Sequence, residues 1–199
     1  MSRYRLYRLA RVAAVAFSVT LIFGIAAFAQ ERRQGEPGQF DYYILALSWS
    51  PSYCEARQGR ARNRSQERQC DGRPFSFVVH GLWPQYDRGF PSYCQVPPPR
   101  LDRNIVGSML DLMPSPRLIF HEWDQHGTCS GLAPRAYFDG VRKARAAVKI
   151  PPEYVELERS ISVTPGEVTE AFLKANPGLS PRAVSVFCDR TWLTEVRIC

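Results

Sequence analysis

The chain has 199 residues, with 26 Lys and Arg against 19 Asp and Glu, and its formal net charge is +7. This length suits one domain with a sizeable core and is too short for two comfortable domains. The first 29 residues hold four of the basic residues and no acidic one, so the rest of the chain carries 22 basic against 19 acidic residues. Net charge is therefore weak evidence for a nucleic-acid partner.

The N-terminal segment has the pattern of an export signal. Four arginines precede an almost wholly apolar run over 12–27, and the tripeptide AFA at 27–29 is a small-x-small cleavage site. The apolar run is shorter than the about 20 residues of a membrane-spanning helix. We expect a signal peptide over 1–29 and a secreted or periplasmic domain over 30–199, without stable membrane insertion after cleavage. An uncleaved anchor is the alternative.

The cysteines form an even set, which in an exported chain predicts three disulfides. They are Cys54, Cys70, Cys94, Cys129, Cys188 and Cys199. The sequence alone does not fix their pairing, but proximity along the chain favours Cys54 with Cys70 and Cys188 with Cys199, leaving Cys94 with Cys129. Since no CxxC spacing is present, a thiolate zinc site or thioredoxin-type redox chemistry is disfavoured.

Two apolar segments of strand length come first in the mature chain. Residues 40–49, FDYYILALSW, predict a buried strand that ends at Pro51, and residues 74–80, PFSFVVH, predict a second strand with His80 at its end and a turn at Gly81. A loop opens at Cys54 between them and is rich in arginine, at Arg57, Arg60, Arg62, Arg64 and Arg68. A solvated surface loop is favoured there over a flap that attracts phosphate.

Helices are predicted over 104–113, 115–126, 134–148 and 164–174. Ser115 and Pro116 are typical of a helix start, Gly127 of a helix end, and the segment Thr164-Pro165-Gly166-Glu167 of a capping box. A short strand is predicted over 155–163, and the β-rich runs 183–188 and 192–199 predict a terminal hairpin. Strands before, between and after helices indicate an α+β domain.

The candidate site centres on residues 120–129, FHEWDQHGTC. This segment holds two of the three histidines, and the third, His80, lies in FVVHGLWPQY. In a helix, His121, Gln125, Glu122 and His126 fall at roughly 0°, 40°, 100° and 140° around the axis, so one face carries all four. A single histidine is more often structural than catalytic. Three histidines confined to two short segments favour a functional cleft.

Two histidines that titrate near pH 6.5 can act as a base and an acid. With a third histidine for an anionic ligand, the site suits in-line phosphoryl transfer, and RNA supplies its own nucleophile in the 2′-hydroxyl. The alternative is a metal site. Metalloproteases use HExxH, whereas the spacing HExxxH separates His121 from His126 by about 140°, so this alternative would need His80 or a helix bulge. No GxSxG is present, which disfavours a serine hydrolase.

The two segments resemble the signature blocks of the ribonuclease T2 family of secreted acid endoribonucleases. The first block is close to FVVHGLWPQY and the second to HEWxKHGTC, here HEWDQHGTC, and the similarity extends to YYILALSWSPSYC and the cysteine layout. The resemblance implies an antiparallel sheet flanked by helices and an endoribonuclease that needs no metal or other cofactor. It further implies cleavage of single-stranded RNA through a 2′,3′-cyclic phosphate to a 3′-phosphate, with broad base preference. We expect a monomer.

The resemblance also implies roles for five residues. His126 would be the general base that takes the 2′-hydroxyl proton, and His80 the general acid for the leaving 5′-oxygen. His121 would hold the phosphate, and Glu122 would stabilise the pentacoordinate transition state. Trp83 would stack on a base near the scissile bond, with a core tryptophan as the alternative.

One position departs from the family pattern, which usually has Lys where this chain has Gln125. A lysine places a full positive charge by the phosphate, and losing such a partner can cost about 10² to 10³ in rate. This departure leaves three alternatives. The activity is lower, an arginine of the 57–68 loop compensates for the missing charge, or the chain is a catalytically weakened RNA- or partner-binding protein on the same fold. Because His80, Glu122 and His126 are retained, we favour a working enzyme.

Overall fold

The computed structural model describes residues 35–58, 69–70, 75–155, 157, 160–190 and 192–199. The predicted signal peptide and residues 59–68 of the arginine-rich loop lie outside the described residues. Within the described ranges, no helix has both the length and the apolar character needed to cross a bilayer.

Among the described residues, four antiparallel strands form one sheet in the order β2-β1-β4-β3. They are β1 (Tyr42–Trp49), β2 (Phe77–Gln85), β3 (Val184–Asp189) and β4 (Trp192–Ile198). The two N-terminal strands and the terminal hairpin were predicted, because each is an apolar or β-rich run of strand length. The sheet's order places β4 beside β1, so the C-terminal hairpin completes the sheet that the N-terminal strands begin.

In the part of the chain that the structure describes, five α-helices pack around this sheet. They are α1 (Ser50–Gln58), α2 (Arg103–Met109), α3 (Pro116–Gln125), α4 (Pro134–Ala147) and α5 (Pro165–Ala175). Ser115 caps α3 through the Leu118 N–H, and Thr164 and Glu167 form the capping box of α5. The α+β prediction is therefore confirmed, as are the starts of both helices.

Two local predictions are wrong. Residues 50–58 form α1 instead of opening a loop, because a proline in the first turn of a helix loses no intrahelical hydrogen bond and Pro51 stands there. The described residues of 155–163 lie outside the strands. Val155, Ile161 and Val163 are exposed, so this segment lacks the buried face that stabilises a strand.

The structure forms the predicted disulfides Cys54–Cys70 and Cys94–Cys129. The predicted pairing of Cys188 with Cys199 is wrong, since both are free and exposed. In the hairpin, Cys188 pairs with Leu193 near the turn, whereas the Cys199 N–H donates to the Ala183 carbonyl at the opposite end. The strand between these ends is roughly 16 Å long, well beyond the about 7 Å that a disulfide spans.

Candidate active site

His80 lies at a β-bulge in the middle of β2. Ala46 pairs with Gly81 and Leu47 pairs with Val79, so His80 is the extra residue without a partner on β1. The prediction that His80 ends a strand and Gly81 makes a turn is therefore wrong, because the strand continues to Gln85. A bulge bends the strand locally and redirects the side chain of the extra residue. Here it presents the His80 ring to the site.

A carboxylate from β4 reaches His80 across the intervening strand β1. The His80 Nδ1 atom lies 2.6 Å from Glu195 Oε2. Ser48 and Ala46 of β1 pair with Glu195 and Arg197, and directly opposite residues share a face of the sheet. Their small side chains leave the space through which His80 and Glu195 meet.

Helix α3 brings the second histidine segment to the same place. Ile119 and Trp123 bury its other side, and the Trp123 indole donates to the Pro99 carbonyl at 2.8 Å. The Cys94–Cys129 disulfide holds the chain just after the helix. Glu122 and His126, the C-cap of α3, are both buried as a result.

The buried carboxylate of Glu122 connects α3 to β2. Its Oε2 accepts the indole N–H of Trp83 at 2.6 Å, and its Oε1 lies 3.6 Å from His80 Nε2. Burial raises the pKa of Glu122 to about 7, against the lowering effects of the His80 charge and the Trp83 hydrogen bond. Glu122 can therefore exchange a proton near neutral pH.

His80 lies between two carboxylates, and these favour its protonated form. Burial lowers the pKa of His80, but the Glu195 hydrogen bond and the charges of Glu122 and Glu195 outweigh burial and the opposing charge of Arg197. The net effect raises the pKa above its ordinary value of 6.5. At mildly acidic pH, His80 is therefore a cation with a proton to donate.

The surroundings of His126 favour its neutral form instead. Burial lowers its pKa to about 3, and the charges of His121 and His80 act in the same direction. Its Nδ1 atom is buried and has no hydrogen-bond partner among the described residues. A neutral imidazole tolerates this better than an imidazolium, which would present two N–H groups that need acceptors. His126 is therefore a neutral ring able to accept a proton.

Trp83 is part of the wall of the site. The His126 ring stacks on it with centroids 5.2 Å apart, and the Arg197 guanidinium lies over the same indole at 4.8 Å. Because Trp83 is also buried and protein groups take up its ring surface, it offers little area to a base. Burial of the ring favours the alternative, a core tryptophan, over the stacking prediction. Phe90 is the nearby exposed aromatic, with its ring 6.1 Å from His126.

His121 and Gln125 lie further out on α3. His121 is exposed. Burial raises the pKa of the neighbouring Asp124, and the charge of His121 partly offsets this effect. Gln125 is partly buried, and its Oε1 accepts the Tyr93 hydroxyl at 3.2 Å. The predicted helical face is thus present, but only its Glu122 and His126 are enclosed.

Sequence reasoning missed Glu195 and Arg197. Arg197 Nε donates to Glu195 Oε1 at 2.7 Å, and its guanidinium also lies 4.0 Å over the Phe187 ring. Burial raises the pKa of Glu195, but the hydrogen bonds from His80 and Arg197 outweigh it, so the pKa is lowered and the carboxylate is ionised. The available signal was two opposite charges at positions i and i+2 of the strand WLTEVRI, a spacing that puts both on one face.

The fold and the two histidines around a buried carboxylate define an α+β domain with an acid–base centre. The chain belongs to the ribonuclease T2 family, whose model matches residues 40–199. It is 48% identical over 100 residues to a ribonuclease of Aeromonas hydrophila, covering 50% of this chain and 42% of that protein. It is 33% identical over 127 residues to a probable ribonuclease of Haemophilus influenzae, covering 59% of this chain and 47% of that protein.

In both alignments the chain spans less than half of the relative's length. Among solved structures, the fold is similar to that of RNase NT in complex with 5'-AMP, with a TM-score of 0.61 and 26% sequence identity. That superposition covers 80% of this chain and 84% of the other.

Proposed function

We propose that this protein is an exported, metal-independent endoribonuclease that cleaves single-stranded RNA with low base specificity. The proposed reaction is transphosphorylation to a 2′,3′-cyclic phosphate, which water then opens to a 3′-phosphate. The observation that carries the proposal is that His80 and His126 lie against the same indole, each with its ring centroid 5.2 Å from that of Trp83. Their surroundings favour opposite protonation states, since the pKa of His126 is lowered to about 3 and that of His80 is raised. A neutral base beside a cationic acid is what this reaction needs.

In the first step, His126 takes the proton of the 2′-hydroxyl while the 2′-oxygen forms a bond to phosphorus. The bond from phosphorus to the 5′-oxygen breaks, and His80 gives its proton to that oxygen. In the second step, the neutral His80 takes a proton from water as it attacks the cyclic phosphate, and His126 returns its proton to the 2′-oxygen. Both histidines end in their starting protonation states.

A base with a pKa of about 3 is weak until substrate is bound. An anionic phosphodiester next to His126 favours the imidazolium and so raises the pKa of the ring toward the working pH. In the free protein, the charge of the exposed His121 lowers the pKa of His126. The same phosphate would offset that charge. Substrate binding therefore activates the base, and His121 holds the phosphate at the rim of the site.

Glu122 stabilises the pentacoordinate transition state in this proposal. Its buried carboxyl, with a pKa of about 7, is largely protonated at mildly acidic pH. A protonated carboxyl donates a hydrogen bond to a phosphoryl oxygen, and this bond stabilises the transition state most where water is excluded. Its hydrogen bond from Trp83 fixes the other carboxyl oxygen.

Phe90 takes the base-stacking role first assigned to Trp83. Phe90 is 48% exposed, and its ring lies beside His126, where a base next to the scissile phosphate would be placed. Stacking on one aromatic ring accepts every base, since each has a π-face, which fits low specificity. Export is supported by the sequence pattern of 1–29 and by two disulfides, which persist in oxidising compartments.

The test is an assay of the purified, oxidised protein on single-stranded RNA with excess EDTA from about pH 4 to about pH 8, with analysis of the product ends. Cleavage that resists the chelator and yields cyclic phosphate is expected. Cleavage that EDTA abolishes would instead favour a metallohydrolase. RNA binding without cleavage at any pH would overturn the enzymatic proposal.

One observation favours a second candidate, a catalytically weakened RNA- or partner-binding protein on the same fold. Gln125 replaces the family's lysine with a neutral side chain, and Tyr93 engages its carbonyl oxygen. Without a cation there, phosphate binding can persist through His121 while the charge of the transition state is less well stabilised. The assay described above separates the two candidates, because only the enzyme gives cyclic phosphate ends.

A further inference from the structure

The two nitrogens of His80 meet carboxylates from opposite sides of the site. Nδ1 lies 2.6 Å from Glu195 of β4, and Nε2 lies 3.6 Å from Glu122 of α3. The shorter contact is a hydrogen bond, whereas the longer one exceeds hydrogen-bond distance. Nε2 is therefore the nitrogen left to act on substrate, and Glu195 is the group that holds the ring.

We propose that Glu195 is a positioning residue for His80, which fixes the ring orientation and the tautomer with the proton on Nδ1, and that Arg197 in turn fixes Glu195. This inference rests on the proposed endoribonuclease function. It concerns a strand that the signature segments do not include.

Burial and pairing make Glu195 a rigid partner. Its side chain is only 9% exposed, and its second oxygen accepts the Arg197 N–H at 2.7 Å. Arg197 is itself held between the Trp83 and Phe187 rings, at 4.8 Å and 4.0 Å from their centroids. A carboxylate fixed at both oxygens has few other orientations, so it defines the plane and position of the imidazole.

The tautomer follows from the same contact. While the Nδ1–H group donates to Glu195, the proton that His80 gives up is the one on Nε2. After the first step, the ring is neutral with a free lone pair on Nε2, which is the state that takes a proton from water in the second step. Without Glu195 the neutral ring could carry its remaining proton on either nitrogen.

Within the described ranges, the charged groups that face His80 come from two elements. Glu195 and Arg197 belong to β4, and Glu122 and His126 belong to α3 and its C-cap. Glu195 contributes both a hydrogen bond and a charge that favour the protonated ring, whereas Arg197 opposes it. Removing the charge of Glu195 should therefore lower the pKa of His80.

The experiment compares wild type with Glu195→Gln, Glu195→Asp and the control Glu170→Gln, which removes an exposed carboxylate from α5. For Glu195→Gln we expect kcat on single-stranded RNA to fall about tenfold at pH 7, a partial loss of the contribution of the general acid. KM should change little, and the falling limb of the pH profile should move to lower pH. Glu195→Asp keeps the charge and should leave that limb closer to wild type, and Glu170→Gln should match wild type.

An NMR titration of the His80 ring in the substrate-free protein gives a readout independent of turnover. A lower His80 pKa in Glu195→Gln, with the native thermal transition retained, supports the inference even if no RNA is cleaved and the proposed function fails. An unchanged His80 pKa, or a pH profile that Glu195→Gln leaves in place while wild type is active, overturns the inference and leaves the proposed function standing. If Glu195→Gln does not fold, the same titration on Glu195→Asp decides. The shorter aspartate makes a longer and weaker contact with His80, which should still lower the pKa of that ring.

Discussion

The indole of Trp83 donates its N–H to the buried carboxylate of Glu122 at 2.6 Å, which ties β2 to α3 at the centre of the site. The residue that makes room for this contact is Gly81. A Cβ atom at Gly81 would come closer than 3.0 Å to the Glu122 carboxylate and to Trp83 Nε1. Glycine is therefore required here by the close approach of a side chain to the strand rather than by a turn.

Gly81→Ala should destabilise the protein and reduce its activity. The added methyl group must displace Glu122 or Trp83, and overpacking of this kind costs about 1–3 kcal/mol. The free energy of unfolding in urea and kcat on RNA measure the two effects. The matched control is Gly107→Ala in α2, where a Cβ meets nothing within 4 Å. It should keep full activity and gain up to about 1 kcal/mol from helix propensity. Equal unfolding free energies for Gly81→Ala and wild type would contradict the close approach.

His80→Ala and His126→Ala should each abolish detectable RNA cleavage while the fold stays intact. Loss of a general acid or base costs about 10² to 10⁴ in rate. The described residues give His126 Nδ1 no hydrogen bond to lose, and Glu122, with a pKa of about 7, can take up a proton when the His80 cation is removed. Single-turnover rates and near-ultraviolet circular dichroism separate lost chemistry from lost structure. Full activity in either variant would refute the two-histidine mechanism.

The pH dependence of kcat/KM should be bell-shaped, with its maximum on the acid side of neutrality. Activity rises with pH as His126 loses its proton, from a pKa of about 3 in the free protein, because only the neutral ring accepts a proton. It falls again above pH 6.5, because His80, whose pKa is raised from that value, becomes deprotonated and can no longer donate. Glu122, with a pKa of about 7, loses the proton that it offers to the phosphoryl oxygen in the same range. The measurement is kcat/KM across the acid and neutral range, which reports groups of the free enzyme. A profile that keeps rising through the alkaline range would contradict this assignment.

Local sequence signals predicted those elements whose cause is local. The Ser115 cap with Pro116 and the Thr164 capping box each satisfy orphan N–H groups within one helical turn, so α3 and α5 could be identified from a few residues. The same local logic placed His121, Glu122, Gln125 and His126 on one helix. It failed at α1, where Pro51 was taken as the end of a strand rather than the start of a helix.

Features that depend on strand pairing were not accessible in this way. Glu195 meets His80 from 115 residues away, because β4 lies beside β1 and the β2 bulge redirects the ring. Proximity in sequence likewise suggested a Cys188–Cys199 disulfide, whereas hairpin register separates the two by the length of the strands. Register and bulges arise from tertiary pairing, which a single sequence does not display.

Phe90→Ala should raise KM for single-stranded RNA with little change in kcat. Stacking of a base on an aromatic ring contributes about 1–3 kcal/mol, so the expected rise is about 5- to 160-fold. The control is Trp192→Ala, which removes an exposed aromatic ring from the start of β4 and should leave KM unchanged. Steady-state kinetics on a short oligonucleotide measure both. If KM were unchanged in Phe90→Ala, the base would be bound elsewhere in the site.

Gln125→Lys should raise kcat on RNA. The substitution restores a cation where the family usually has lysine, and one preorganised electrostatic partner contributes up to about 10² to 10³ in rate. Part of this gain is offset, because a lysine cannot accept the hydrogen bond that the Tyr93 hydroxyl donates to Gln125. The control is Ala146→Lys, which adds the same charge at an exposed position of α4 and tests whether net charge alone strengthens RNA binding. Single-turnover rates with saturating RNA isolate the chemical step. A higher rate in Gln125→Lys but not in Ala146→Lys would identify position 125 as the place where a cation stabilises the charge of the phosphate. An unchanged or lower rate in Gln125→Lys would show that this site stabilises the transition state without a cation there.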